Sequence, residues 1–300
     1  MSGLANLQGV IAPLNVASRS TNPAVALIND YSVEISGKDE PALLEARDFI
    51  PNGTLINVTY LGTENPALRL SAAHTVLANG FRPVPHVAAR RLQSVPQLRE
   101  FLSSLREIGA SERIFAVGGD PSSPEGPSDS SLSLIRTGIL GEYGVNHVAI
   151  SGYPEGHPDI AEDRLWEALT AKYSALREQG LSPTILTQFG FDAEPVVRWI
   201  SQVRERGIDA PIRVGVPGPA GIKRLLAFAS RFGVASSASV VKKYGFSITN
   251  LFGTAGPDRF VTSLAQKLEE KNLGQVGLHF YAFGGLRQTA EWISNFRNEV

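Results

Sequence analysis

Apolar and polar positions alternate along this chain with two different periods. Short runs rich in Val, Ile, Thr and Leu are separated by longer stretches in which apolar residues recur every three or four positions. The first pattern predicts strands and the second helices. Strands are expected at Tyr31–Ser36, Thr54–Tyr60, Arg82–Val87, Arg113–Val117, Asn146–Ser151, Thr184–Thr187, Pro211–Val216 and Val276–Ala282. Helices are expected at Pro41–Phe49, Ala67–Ala78, Ser94–Ile108, Leu132–Tyr143, Ala161–Glu178, from Val196 to Val203, and at Lys223–Arg231, Ala235–Tyr244, Asp258–Lys271 and Leu286–Arg297. Ser94 suits a helix N-cap, and Gly80 and Gly180 suit helix ends. Regular alternation of strand and helix implies a parallel sheet. Eight such units in 300 residues predict an α/β fold of the (β/α)8 TIM-barrel type. The expected organisation is an N-terminal arm, 1–22, and a single barrel domain, 23–300. An open doubly wound sheet is the alternative; against it, no G-x-G-x-x-G turn follows the first strand and no P-loop occurs.

Composition narrows the function. Net charge is −1 and no long basic or acidic block occurs, so nothing predicts capture of nucleic acid or of an anionic membrane. The chain has no cysteine, which excludes disulfides, a thiolate nucleophile and Cys-ligated metal sites, and fits a cytoplasmic protein. The first 22 residues carry Arg19 as their only charge and make a poor signal peptide. No apolar run is long enough to span a bilayer.

In a closed barrel the functional groups lie where strands run out. Glu34, Thr59, His86, Asp120, Tyr153, His157, Gln188 and Tyr281 fall at those places. For Thr59, Tyr153 and Tyr281 taken singly, a polar residue meeting water explains the position. Glu34 is different, because a carboxylate inside a barrel strand is costly without a partner or a task. Asp120 follows two glycines, Gly118 and Gly119, which suits either a tight turn or close approach of a ligand. A metal site is not expected, since neither His-x-His nor H-E-x-x-H occurs, and G-x-S-x-G is absent as well. The long Pro-, Ser- and Gly-rich loop from Pro121 to Ser131 directly follows a strand exit.

Taken in order, the motifs at these exits resemble those of the methylenetetrahydrofolate reductases. They are Val-Glu at 33–34, Asn-Val-Thr-Tyr at 57–60, Pro-His at 85–86, Gly-Asp at 119–120, Tyr-Pro-Glu-Gly-His-Pro at 153–158, Thr-Gln-Phe-Gly-Phe-Asp at 187–192 and His-Phe-Tyr at 279–281. The resemblance covers Tyr31 to Trp292 and implies a TIM barrel. It also implies reduction of 5,10-methylenetetrahydrofolate to 5-methyltetrahydrofolate, normally through FAD reduced by NADH or NADPH. By this resemblance Glu34 is the general acid, Asp120 binds the pterin and stabilises the developing cation, and Gln188 hydrogen-bonds the pterin. Tyr281 joins Asp120 and Gln188 as a substrate contact. Thr59, His86, Tyr153, His157 and Lys172 take cofactor positions.

The departures concern charge. Gly118 stands where the family carries Arg, Ile222 stands where it carries Phe, and Lys172 and Arg177 do not keep the family's basic spacing. A flavin pyrophosphate would lose its usual counter-charges. The expectation is therefore direct hydride transfer from the nicotinamide, with an FAD-dependent reductase as the alternative. Further from the family stand a different TIM-barrel enzyme, such as a lyase or aldolase, and a barrel that binds folate without catalysis. Against an aldolase, no Lys stands on a strand for a Schiff base.

Overall fold

The computed structural model describes residues 22–62, 65–231 and 254–299. The helix expected at 235–244 and nearly all of the expected arm lie outside the described residues. Eight parallel strands close into a barrel: β1 (Tyr31–Ile35), β2 (Leu55–Val58), β3 (Arg82–Ala88), β4 (Arg113–Val117), β5 (His147–Gly152), β6 (Ser182–Phe189), β7 (Ile212–Pro217) and β8 (Val276–Tyr281). Closure comes from β1, which pairs with β2 on one side and β8 on the other. The surrounding helices are α1 (Pro23–Asn29), α2 (Glu40–Ala46), α3 (Pro66–Ala78), α4 (Val95–Glu107), α5 (Ser131–Arg136), α6 (Glu162–Glu178), α7 (Ala193–Glu205), α8 (Ile222–Arg231), α9 (Asp258–Glu269) and α10 (Leu286–Glu299). A short antiparallel pair joins Ala220–Gly221 to Thr254–Ala255. Among the described residues no helix is long and apolar enough to cross a membrane.

The two-residue period of each strand sorts its side chains. In β1, Tyr31, Val33 and Ile35 join the large core between barrel and helices, whereas Ser32 and Glu34 meet His279 across the lumen side. A separate apolar cluster of Val84, Phe115, Ala149 and Leu186 fills the lumen itself. The mouth is therefore a polar layer resting on an apolar floor.

Two local features depart from the sequence pattern. The helix expected over 132–143 is α5 followed by a 3-10 turn, Leu140–Tyr143, because Gly138 adopts φ +72° and breaks the run. Helix α1 was not expected. Asn22 caps it by accepting the Ala24 amide at 2.9 Å, and its Leu27 and Ile28 are buried.

A β-bulge decides the geometry at Gln188. The register of β6 against β7 shifts between Leu186 and Phe189. The Gly215 amide donates to Thr187 Oγ1 at 2.8 Å. A Cβ on Gly215 would stand 2.5 Å from the Thr187 carbonyl oxygen, so this position admits only glycine without displacing the bulge.

Candidate active site

Glu34 is the carboxylate nearest the centre of the site, and its surroundings come from β1 and β8. Register places Ser32 opposite His279. Ser32 Oγ lies 2.9 Å from His279 Nδ1, and His279 Nε2 lies 3.7 Å from Glu34 Oε2. The second distance is too long for a hydrogen bond. His279 Nε2 has no hydrogen-bond partner. Burial holds the His279 pKa below its ordinary value, with Glu34 opposing in part. The ring is then neutral near pH 7. The Ser32 hydroxyl also reaches the Leu278 carbonyl at 3.5 Å, and which ring nitrogen of His279 carries the proton follows from which of the two it donates to.

Two phenols complete this cluster. The Tyr281 hydroxyl donates to the Thr187 carbonyl at 3.0 Å. Its pKa stands well above the ordinary value, first through burial and then through Glu34 and Tyr153. Burial also raises Tyr153. Both phenols stay protonated. Gln188 sits beside them on the bulge, where its Oε1 accepts the Phe189 amide at 3.1 Å and its NH2 donors are left for a ligand. Phe189 packs edge-on against Tyr281 with ring centroids 5.5 Å apart.

His86 lies deeper on β3, edge-on to Phe115 at 4.8 Å. Its Nε2 is buried without a partner. Burial pushes its pKa down to about 3, helped by His279 and Arg69. Thr59 leaves β2 beside β1, its amide donating to the Ile35 carbonyl at 2.8 Å. Tyr153 and His157 pack edge to face at 5.3 Å in the turn after β5. Lys172 stands apart from this set, on the barrel-facing side of α6, buried and without a hydrogen bond or ion pair among the described residues. Burial lowers its pKa to about 8.

Asp120 belongs to a different corner. The 3-10 turn after β3, Ala89–Arg91, brings Arg91 against it, with Nε–Oδ1 and Nη2–Oδ2 both 2.7 Å. Arg91 Nη1 also lies 3.4 Å from Glu125 Oε1. One guanidinium thus serves two carboxylates, leaving the trio at net −1. Gly62 has no room for a Cβ against this guanidinium, so the β2 exit is tied in as well. Arg90 is spent on the loop after β4, donating to the Asp129 and Pro121 carbonyls at 2.7 and 3.2 Å. With the Asp120 side chain 70% exposed, the pair adds roughly 1 kcal/mol or less to stability. Its importance is positional. Asp120→Asn is expected to lower kcat/KM for the substrate of this site by about one to two orders of magnitude, the scale of a single preorganised charge contact. An unchanged value in steady-state assays would remove Asp120 from the site.

Sequence reading placed Glu34, Gln188, Tyr281, Tyr153 and His86 at strand exits, and the structure brings these together. It missed Ser32, His279 and Arg91. Ser32 and His279 carried a usable signal, since each lies two residues before a chosen residue on the same strand face. Arg91 carried none, because its partner lies on another strand's loop.

A closed parallel barrel with an acid, two neutral imidazoles, two phenols and an amide at one mouth is the arrangement of a (β/α)8-barrel enzyme. The family model for methylenetetrahydrofolate reductase matches residues 38–291, and the chain belongs to that family. Glu34 lies just ahead of the matched span. The chain is 33% identical over 129 residues to methylenetetrahydrofolate reductase 2 of Saccharomyces cerevisiae, covering 40% of this chain and 20% of that protein. It is 29% identical over 151 residues to the 5,10-methylenetetrahydrofolate reductase of Pectobacterium carotovorum, covering 50% of this chain and 48% of that one. These matches span less than half the length of either relative. The fold is also similar, with a TM-score of 0.54 and 11% identity, to a Clostridium thermocellum protein that binds two copies of 5-methyl-5,6,7,8-tetrahydrofolic acid. That alignment covers 91% of this chain and 98% of the other.

Proposed function

We propose that this protein reduces 5,10-methylenetetrahydrofolate to 5-methyltetrahydrofolate and takes the hydride directly from NADH or NADPH. The observation that carries the reading is the contact of Glu34 with neutral His279 beside the protonated Tyr281, in a barrel of this family. In the first step Glu34 gives a proton to N10 of the folate as the bond from N10 to the bridging carbon breaks. The nitrogen at position 5 then carries an iminium cation. Hydride from C4 of the nicotinamide adds to the iminium carbon and forms the methyl group. Glu34 recovers a proton from solvent, so each turnover consumes one proton and one reduced nicotinamide. Gln188 offers donors to the pterin edge, and the Asp120 carboxylate favours the cation over the neutral ring.

At the β3–β4 corner the residues present do not suit the pyrophosphate of a flavin dinucleotide. A pyrophosphate needs cations or free N–H donors. At the β3–β4 corner Arg91 is already shared by Asp120 and Glu125, Arg90 is engaged by carbonyls, and Gly118 offers no side chain. No step is therefore routed through FAD. Flavin-free protein supplied with NADH deuterated at C4 and methylenetetrahydrofolate is expected to yield product with deuterium in the methyl group. A yellow preparation whose activity is lost when FAD is stripped, and restored when it is added back, would replace direct transfer by flavin relay.

A further inference from the structure

Helix α3 carries an arginine where its apolar stripe should begin. The buried face of that helix is Arg69, Ala72, Ala73 and Val76, the spacing of a core-facing stripe. Arg69 is only 5% exposed, and arginine is seldom buried so deeply without groups that fix it. Those groups come from three other places in the fold. The guanidinium carbon stands 3.8 Å from the centre of the Tyr60 ring, just past β2, and 4.6 Å from that of Phe101 on α4. Nη1 donates to the His86 carbonyl of β3 at 3.3 Å. The backbone is held as well. A Cβ on Gly37, in the exit of β1, would stand 3.0 Å from Leu68 Cβ and 3.3 Å from the Arg69 amide nitrogen, so the first turn of α3 lies close against that exit.

Tyr60 meets a second guanidinium. Arg91 stands 5.9 Å from the centre of the same ring, near the outer limit of a cation–π contact. Phe101, Arg69, Tyr60, Arg91 and Asp120 thus form a continuous series, ring alternating with cation, from α4 to the site carboxylate. The series runs from buried to exposed. The Asp120 side chain is 70% exposed, so packing does little to fix it. Arg91 holds it by two bonds, yet Arg91 is itself a long side chain and is shared with Glu125. A flexible cation orients a carboxylate only when its own rotamer is fixed, and an aromatic face beside a guanidinium does that.

We propose that Arg69 and Tyr60 are positioning residues for Asp120 and act through Arg91, an inference that rests on the reading of Asp120 as the carboxylate that faces the substrate cation. Arg69, fixed by β3 and α4, sets the plane of the Tyr60 ring. Tyr60 restricts the Arg91 guanidinium, and Arg91 presents Asp120 in one orientation. A carboxylate preorganised in this way needs no reorganisation when the cation forms. A purely structural role, in which the same contacts only tie α3 and α4 to the barrel, is the other outcome of the test.

The test replaces Tyr60, which is half-buried and spares the core. The first readout needs no turnover. In protein labelled with nitrogen-15 arginine, the signal of the Arg91 Nε–H, which donates to Asp120 Oδ1, is assigned by its loss in Arg91→Lys. Its exchange with solvent is expected to be slow in wild type and in Tyr60→Phe, which keeps the ring, and about tenfold faster in Tyr60→Leu. Arg69→Lys keeps the charge, loses the planar fork and should act in the same direction. The second readout is kinetic coupling. Tyr60→Leu should lower kcat/KM for the substrate of this site about tenfold in the wild-type background and by about twofold at most in the Asp120→Asn background, where its target is already gone. Unchanged exchange of the Arg91 Nε–H in Tyr60→Leu, or equal losses of kcat/KM in the two backgrounds, leaves only the structural role and overturns the assignment. Failure of the reductase reading is seen separately, as wild-type protein without folate-dependent NADH oxidation, because exchange is read without turnover.

Discussion

Glu34→Gln is expected to lower folate-dependent NADH oxidation by roughly 10²- to 10⁴-fold, the usual contribution of a positioned general acid. The amide keeps the size and much of the polarity of the carboxyl, so folate affinity should stay within a few-fold of wild type. What it lacks is the proton that the proposed step gives to N10 as it leaves. No neighbour supplies a substitute. His279 is held neutral by burial and its single N–H is poorly acidic. Tyr281 and Tyr153 are pushed further from ionisation by the same burial. The loss should therefore appear in kcat rather than in KM. Steady-state rates with calorimetric folate binding check both halves. Turnover near wild type would take Glu34 out of the mechanism.

How far the site could be read from the sequence follows the physics of each part. The barrel was legible because two-residue and 3.6-residue periods alternate eight times, and closure is the economical way to bury a sheet on both faces. Glu34 was legible because a carboxylate within a strand demands a reason. His279 was not assigned a role, although Gly277, His279 and Tyr281 share one face of β8, because its task depends on β1 and β8 being neighbours. That adjacency exists only once the barrel has closed. The charge balance around Asp120 was hidden for a related reason. The sequence shows that Gly118 supplies no cation, but Arg91 reaches the same carboxylate from a turn 29 positions earlier. Lys172 stands on the expected helix, yet the barrel-facing side of that helix buries it rather than presenting it to the mouth. The bulge at Gln188 was equally silent, since its cause is a missing Cβ at Gly215 on the next strand.

Stability is expected to fall as pH drops below about 6.5, before ordinary carboxylates begin to protonate. His86 is the main reason. In the folded protein its pKa lies near 3, against an ordinary value of 6.5, because the charged ring would be buried beside His279 and Arg69. Between those two values the unfolded chain binds a proton that the native state refuses. The stabilisation is complete above the unfolded value and is lost as pH falls toward the folded one. The gap sets a ceiling of about 5 kcal/mol at roughly 1.4 kcal/mol per pH unit, comparable to the whole stability of many domains. His279, lowered in the same direction, adds to the slope. Carboxylates whose pKa is held down, such as Glu194 and Asp209, lose their partners only at lower pH. The window from pH 6.5 to about 5 therefore isolates the imidazoles. Denaturant unfolding across that window should show a steady loss for wild type and a distinctly flatter profile for His86→Gln, which keeps a neutral polar side chain that does not titrate. The comparison is one of slopes, so a constant cost of the substitution does not disturb it. Equal slopes in the two proteins would show that His86 is not held neutral in the barrel, and the unpartnered Nε2 at the mouth would then be a charged donor rather than a neutral group awaiting its ligand.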